Sequence, residues 1–401
     1  MPPPAVVTKI DEETGTTVTA CRKLLRVCFI SPLGYGLYNA SSRYPFGGAE
    51  VQFYLLAGEL ARDPACRVTM LVTVRERAGI ESCGPLTVVK RQGKGRLAKG
   101  GLLAAASAFR EMLGQLHSID ADVYLHAGAG AEVGAYALIC RLLRRRFIYV
   151  VASSADLATA TGGVRGPWRS LFSFGLRLAD AVVCRTDEQM RQLKAMHGRE
   201  GVLIRTGHPV PPSVPVPSAR RKSAILWVGR MHPLKQPELF LALAERLPKE
   251  RFVMVLMRDE AHEDLYRTIK ARAAALLQMA FHEDVAWRDV GRFFEDAKLF
   301  VNTSTYEGFP NTFVQAAMQA TPILSWAVDP DGVLMRHQIG YCAERSFERL
   351  VEDTERLCAS EPRRIELGRR AGDYARQYHD LQRSARELKT LVQSPEPRVL
   401  S

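Results

Sequence analysis

A chain of 401 residues, 47% apolar and 24% charged, exceeds one ordinary core and reads as two globular domains of similar size. Its formal charge of +12 calls for an acidic partner, and nucleic acid, anionic lipid and phosphorylated substrates all qualify. A run of about 18 uncharged apolar residues, as a spanning helix needs, does not occur, and the opening residues lack the basic-then-apolar order of a leader. A cytosolic enzyme is therefore expected. Cys21, Cys28, Cys66, Cys83, Cys140, Cys184, Cys342 and Cys358 are scattered without a CxxC pair. They read as buried free thiols in a reducing compartment rather than as zinc ligands or a disulfide framework.

Residues 1–23 lack apolar periodicity and are expected to be disordered. Residues 25–31 (LRVCFIS) predict the first strand. Residues 48–62 predict a helix with Val51, Tyr54, Leu55 and Leu60 inward. CRVTMLV, DVYLHA, RFIYVVAS and DAVVCRT are further strands, each followed by a helical pattern. That alternation is the mark of a parallel sheet wrapped by helices. The stretch TGHPVPPSVPVP is too rich in proline for a helix or a central strand. A linker over 208–222 is placed there, after a first domain over 24–207.

The same plan restarts with AILWVG and continues through a helix over 236–246, FVMVLM, DAKLFVNTS, a helix at Phe313 and TPILSWA. A second domain over 223–385 and a tail over 386–401 follow. One long basic helix over about 362–391 is expected to pack back across the seam. The fold class is α/β, with two Rossmann-like, doubly wound domains facing a cleft. Open α/β sheets bind ligands at the carboxyl ends of their strands.

Two stretches carry chemistry. In WVGRMHPLKQPELF a strand ends at Val228, Gly229 frees a tight turn, and Arg230 and Lys235 precede a helix. Such a pair suits a diphosphate, Arg as a fork and Lys as a point charge; it equally suits a solvated turn. In NTSTYEGFPNTFVQAAMQATPILS a strand ends at Thr303 and Ser304, and a loop leads to a helix with Asn311 or Thr312 as N-cap. The free N–H groups of that helix favour an anion. Glu307, just before them, suits sugar hydroxyls or developing positive charge. It also suits a plain helix cap, with Gly308 making the turn.

Together, GR…K after a strand, then S-x-x-E-G-F-P-N and A-x(3)-A-T-P-I, resemble the GT4 retaining glycosyltransferases of the GT-B fold. FGGAEVQFYLLAGEL and DAVVCRTDEQMRQL in the first domain are similar to that family too, and the resemblance runs over about 25–390. It implies a hexosyl-transferring enzyme in bacterial glycan, exopolysaccharide or glycolipid synthesis. The Gly47–Gly48 loop would approach the donor diphosphate. Gly229, Arg230 and Lys235 would bind its phosphates and stabilise the leaving nucleotide. Glu307 would hold the transferred sugar, helped by Gly308, Phe309, Asn311 and Thr312. The catalytic set is thus Glu307, Arg230 and Lys235. The donor would be a UDP-, GDP- or ADP-linked sugar, with no prosthetic group and no metal. The acceptor would be a saccharide or a lipid-linked one, with no nucleic-acid partner, in the cytoplasm or peripheral to the inner face of a membrane.

Two positions depart from the family. Gln315 stands where many members carry a second Glu gripping the ribose; its carbonyl can still accept, and its amide adds a donor. After RFIYVVAS many relatives place a His facing the sugar; this chain has Ser153, Ser154 and Asp156. Ser154 and Asp156 are therefore the acceptor-side candidates, with a helix cap or surface turn as the other reading of Asp156. A donor phosphate oxygen is thought to take the acceptor proton in this family, so a missing base leaves activity open. A silent nucleotide-sugar binder and a nucleotide-sugar epimerase are the rival readings.

Other stretches are set aside. In HAGAGAEVG the third Gly falls one residue late for GxGxxG, and His126 reads as a strand-end residue. Asp329-Pro330-Asp331-Gly332 reads as a turn rather than a metal-binding D-x-D. The basic residues Lys90, Arg91, Lys94, Arg96 and Lys99, and Arg141, Arg144, Arg145 and Arg146, have no interleaved aromatics, against single-strand nucleic acid. An anionic membrane surface, worth ~1 kcal/mol per basic residue, fits them better; ordinary solvated faces fit as well.

Overall fold

The computed structural model describes residues 6–10, 17–21, 24–39, 44–93, 102–157, 167–211 and 222–394. Lys94, Arg96 and Lys99 of the first basic stretch, most of the linker (212–221) and the last residues of the tail lie outside them. Within the segment expected to be disordered, Val6–Ile10 pairs antiparallel with Thr17–Cys21, where β-branched Val and Thr favour extended backbone.

The first domain is built on an eight-stranded sheet. Leu25–Ile30 lies at its centre between Val123–Ala127 and Cys66–Val74, parallel to both. Only Gly79–Cys83, at one edge, runs antiparallel to its neighbour Leu86–Gln92. The second domain has six strands, all parallel, with Ala224–Arg230 between Arg251–Met257 and Ala297–Asn302. Side-chain alternation sets the layers. Val27 and Phe29 point into one core and Cys28 and Ile30 into the opposite one, as a strand covered on both faces requires. Ala224 and Leu226, against Ile225 and Trp227, repeat this in the second domain.

The Gly48–Leu60 helix buries Val51 and Leu60 as expected, but Gln52, Phe53 and Leu56 fill the inward face rather than Tyr54 and Leu55. Phe29 and Phe53 meet edge to face at 5.1 Å, which fixes the rotation of the helix.

The C-terminal region is two helices, not one. Glu361–Tyr378 stays with the second domain, and Leu381–Gln393 crosses to the first. The break falls at His379 and Asp380, where the Asp380 carboxylate accepts from the Gln382 N–H at 3.0 Å and caps the new helix. Leu381, Ala385, Leu388 and Val392 then enter the core formed by Phe53, Leu56 and Leu60. The expected tail from 386 is thus helical to Gln393, because this apolar face has a partner in the other domain. Arg146 closes the helix by donating to the carbonyls of Leu391, Val392 and Ser394. At the crossing, the His208 N–H donates to the His379 carbonyl at 2.8 Å and the Leu381 N–H to the His208 carbonyl at 3.0 Å. The two passages of the chain between domains therefore lie side by side.

Candidate active site

A cleft of about 420 Å³ separates the two sheets at the carboxyl ends of their strands. On the second-domain side, Ala224–Arg230 delivers Gly229 and Arg230 to it. A Cβ on Gly229 would stand 2.7 Å from the Trp227 ring, so this turn admits only glycine without a shift. The Arg230 Nε lies 3.6 Å from Asp259. Lys235 ends the short turn Pro233–Lys235 and forms an ion pair with Glu307. The same Glu307 oxygen accepts from the Ser304 hydroxyl at 2.8 Å.

Two loops far apart in sequence are braced to make this pair. Trp227 Nε1 donates to the Thr303 hydroxyl at 2.9 Å, and that hydroxyl donates to the Lys235 carbonyl at 2.6 Å. The Thr305 N–H donates to the Leu234 carbonyl at 2.9 Å. Rigid placement of opposite charges is what a preorganised site requires.

The helix Asn311–Met318 starts differently from the expectation. Pro310 occupies the N-cap position and supplies no side-chain acceptor. Asn311 is freed to reach across the cleft: its Nδ2 donates to the Gly48 carbonyl at 2.8 Å, and its Oδ1 accepts from Gln52 Nε2 at 2.7 Å. Thr312 and Gln315 line the cleft from the same helix. Phe309 is buried with its ring 4.4 Å from that of His379, so only its backbone is offered to a ligand. Gly308 presses on the first domain: a Cβ there would stand 2.6 Å from the Ala152 carbonyl. Opposite, Gly47 donates its N–H to Glu50 at 2.9 Å, opening the helix that carries Gly48.

Ser154 and Asp156 are not brought to this cleft. The Asp156 carboxylate is buried, which pushes its pKa up, and accepts from the N–H groups of Ala152 at 2.9 Å and Ser153 at 3.1 Å and from the Tyr149 hydroxyl at 3.3 Å. It ties down the loop after its strand, so the capping reading of Asp156 holds. Ser154 opens the short helix Ser154–Leu157.

Residues that the motifs did not flag also line the cleft: Trp287 and Val285 from the second domain, Arg185 and Thr206 from the first. Arg185 had one signal, a cation ending an apolar parallel strand. The set-aside stretches have structural roles. His126 is buried with Nδ1 3.2 Å from the Ile30 carbonyl, and burial pulls its pKa down to about 4. Asp331, held at φ 55°, accepts from the N–H groups of Asp187 at 2.9 Å and Glu188 at 2.8 Å. It caps a helix of the other domain. No cluster able to hold a metal ion occurs among the described residues, and none of their helices is long and apolar enough to cross a membrane.

Residues 222–360 match the family model described as glycosyl transferases group 1. The match covers most of the second domain, which is similar to that family. The sequence is similar to the D-inositol 3-phosphate glycosyltransferase of Mycobacterium bovis, 26% identical over 222 residues. That match takes in 49% of this chain and 45% of the relative, so it spans under half the length of the curated protein. In structure the chain is similar to sucrose-phosphate synthase from Thermosynechococcus elongatus, with a TM-score of 0.73 at 16% identity, covering 92% of this chain and 98% of that one. It is also similar to Anabaena HepE, solved with UDP and glucose, at a TM-score of 0.68 and 15% identity, covering 92% and 99%. The GT-B fold and the GT4-type resemblance expected from the motifs are both borne out.

Proposed function

We propose that this protein is a retaining glycosyltransferase that moves a hexosyl group from a nucleotide sugar to an acceptor. The observation that carries the reading is the Lys235–Glu307 ion pair, fastened beside Arg230 at the mouth of the Asn311–Met318 helix. Held together, each charge neutralises the other. A donor separates them: Lys235 and Arg230 turn to the diphosphate, and Glu307 accepts from hydroxyls of the transferred sugar. As the glycosidic bond to the diphosphate breaks, both cations stabilise the charge that the leaving nucleotide gains. Of the carboxylates lining the cleft, Glu50 is committed to the Gly47 N–H and Glu307 to the sugar. In keeping with the resemblance, a donor phosphate oxygen takes the proton of the acceptor hydroxyl as that hydroxyl's oxygen bonds the anomeric carbon on the face the nucleotide leaves, which keeps the anomeric configuration.

The second domain holds the donor and the first shapes the acceptor site. Gln315 faces the ribose. UDP is the first donor nucleotide to test, since Anabaena HepE is solved with UDP and glucose. The setting is cytoplasmic assembly of a bacterial glycan, exopolysaccharide or glycolipid. Arg141 and Arg144 are exposed enough to meet an anionic membrane carrying a lipid-linked acceptor, whereas Arg145 pairs with Asp120 and Arg146 is engaged with helix carbonyls. The deciding experiment is thermal shift with UDP, GDP and ADP, followed by nucleotide release from the matching sugar donors. A ligand at a hundred times its dissociation constant adds about 2.7 kcal/mol of stability. No shift with any of the three would overturn the donor site. Binding without release in the presence of saccharide and lipid-linked acceptors would leave a binding protein rather than a transferase.

A further inference from the structure

Even the half-buried cations around the fold are paired or bonded. Arg26 pairs with Asp122 at 2.8 Å, Arg230 lies 3.6 Å from Asp259, Lys235 pairs with Glu307, and Arg146 caps a helix. Arg185 does not fit this pattern. It is 6% exposed, lines the cleft, and has no carboxylate within ion-pair reach among the described residues. Its guanidinium makes one bond to protein, from Nη1 to the Ile204 carbonyl at 3.2 Å, out of five N–H groups available. Burial pulls its pKa down only to about 10, so it stays charged at neutral pH. An unpaired buried charge is among the most unfavourable features a fold can retain.

A second orphan donor adjoins it. Gln189 accepts the Arg185 N–H through Oε1 at 2.8 Å, which fixes the orientation of its amide. Its Nε2 is then buried without a partner, 3.1 Å from where a Cβ on Gly308 would stand. Both donors belong to the first domain; Gln189 adjoins the loop that carries Glu307, and Arg185 lines the same cleft. The donor diphosphate already has Arg230 and Lys235 on the second domain, so a further cation on the opposite wall answers to a different anion.

We propose that Arg185 binds an oxyanion, a phosphate or carboxylate, carried by the acceptor sugar, so that the acceptor is an anionic saccharide. The inference rests on the reading of the cleft as a nucleotide-sugar site. Arg185 offers a planar fork matched to such groups, and the bound oxyanion supplies the counter-charge that the fold leaves out. Arg185 is in this sense a specificity residue: it favours charged acceptors over neutral ones of the same ring.

The test uses the full chain with saturating UDP and four probes: glucose, glucose 6-phosphate, glucuronate and UDP-glucuronate. Wild type, Arg185→Lys and Arg185→Met are compared by calorimetry. Glucose 6-phosphate or glucuronate is expected to bind wild type about tenfold or more tightly than glucose does. That preference is expected to vanish in Arg185→Met and to survive in part in Arg185→Lys, with UDP affinity unchanged in both. Without ligand, Arg185→Met is expected to melt no lower than wild type, because an uncompensated charge has been removed; a purely structural arginine would lower it. The proposal is overturned if neither anionic sugar outbinds glucose, or if Arg185→Met weakens UDP as much as the anionic sugars. It is also overturned if, titrated in place of UDP, UDP-glucuronate alone depends on Arg185, which would put the oxyanion on the donor sugar. Failure of wild type to bind UDP at all would instead sink the donor reading, and the preference for anionic sugars would still be read in its absence.

Discussion

Asn311 joins the two domains through both ends of its amide, donating to the Gly48 carbonyl at 2.8 Å and accepting from Gln52 at 2.7 Å. Neither bond is within one domain, so both are lost when the cleft opens. Each such bond contributes roughly 0.5–1.5 kcal/mol. Asn311→Ala is expected to shift the chain towards an open form, with a larger radius of gyration in small-angle scattering. Nucleotide affinity should fall about tenfold. A variant that scatters and binds like wild type would mean that other contacts hold the cleft shut.

The Lys235–Glu307 pair separates two roles that single substitutions can distinguish. Glu307→Ala is expected to reduce turnover by roughly two to three orders of magnitude while leaving UDP binding largely intact. Lys235→Ala should weaken UDP itself, by about tenfold or more. Titration calorimetry alongside initial rates reads both quantities. Equal loss of UDP affinity in the two variants would contradict the division.

Gln315 lines the cleft with a neutral amide. A carboxylate accepts hydrogen bonds from hydroxyls more strongly than an amide does. Gln315→Glu is therefore expected to tighten UDP by roughly fivefold and to leave inorganic pyrophosphate unimproved. If both ligands change together, the side chain does not meet the ribose.

Three buried histidines set an acid limit on stability. Burial pulls His379 down to about 3 and His208 and His126 down to about 4. Each must stay neutral in the folded chain, whereas in the unfolded chain it takes a proton near its ordinary pKa of about 6.5. The unfolded state thus binds more protons below that value, and stability, complete above it, is lost as pH falls towards 3–4. The melting temperature is expected to drop between pH 7 and pH 5, before most carboxylates titrate. His379→Gln should start less stable, having lost its bond to the Thr206 carbonyl and its contact with Phe309, but show a shallower slope. An unchanged slope in that variant would remove His379 from the account.

Leu388 is on the last helix, yet it packs in the first-domain core at 2% exposure. Leu388→Ala should cost about 2–5 kcal/mol, seen by chemical denaturation. Hydrogen exchange should rise in the Gly48–Leu60 helix and not around Phe313. Faster exchange at Phe313 alone would tie that helix to the wrong domain.

Both sheets were legible because strands covered on both faces are apolar runs, as in LRVCFI and AILWVG, and no tertiary detail alters that. The second-domain half of the site was legible for a related reason: Gly229 and Arg230 end a strand, and Lys235 and Glu307 stand in the short loops that follow strands, where the fold leaves little choice of direction. What could not be read depended on partners distant in sequence. Asn311 has the residue type of a helix cap, but Pro310 takes that position and Gly48 supplies another use for the amide. Asp156 fits a catalytic pattern until its two backbone donors are seen. The apolar positions of 362–391 continue across His379 and Asp380, so nothing local marks the change of domain. Arg185 was passed over because a single charge after an apolar strand says nothing about which carboxylates are absent around it.

The paired crossings at His208 and at His379–Leu381 also restrict how the domains can move. A joint of one strand permits swing, twist and slide alike. Here two strands bond to each other at 2.8 and 3.0 Å, and the second continues directly into a helix embedded in the first domain. Twisting or sliding would tear one strand from the other, whereas swinging bends both together. Two crossings bonded to each other therefore resist twist and slide more than a single strand would, and this favours a swing that keeps Asn311 aligned with Gly48, and Gly308 with Ala152.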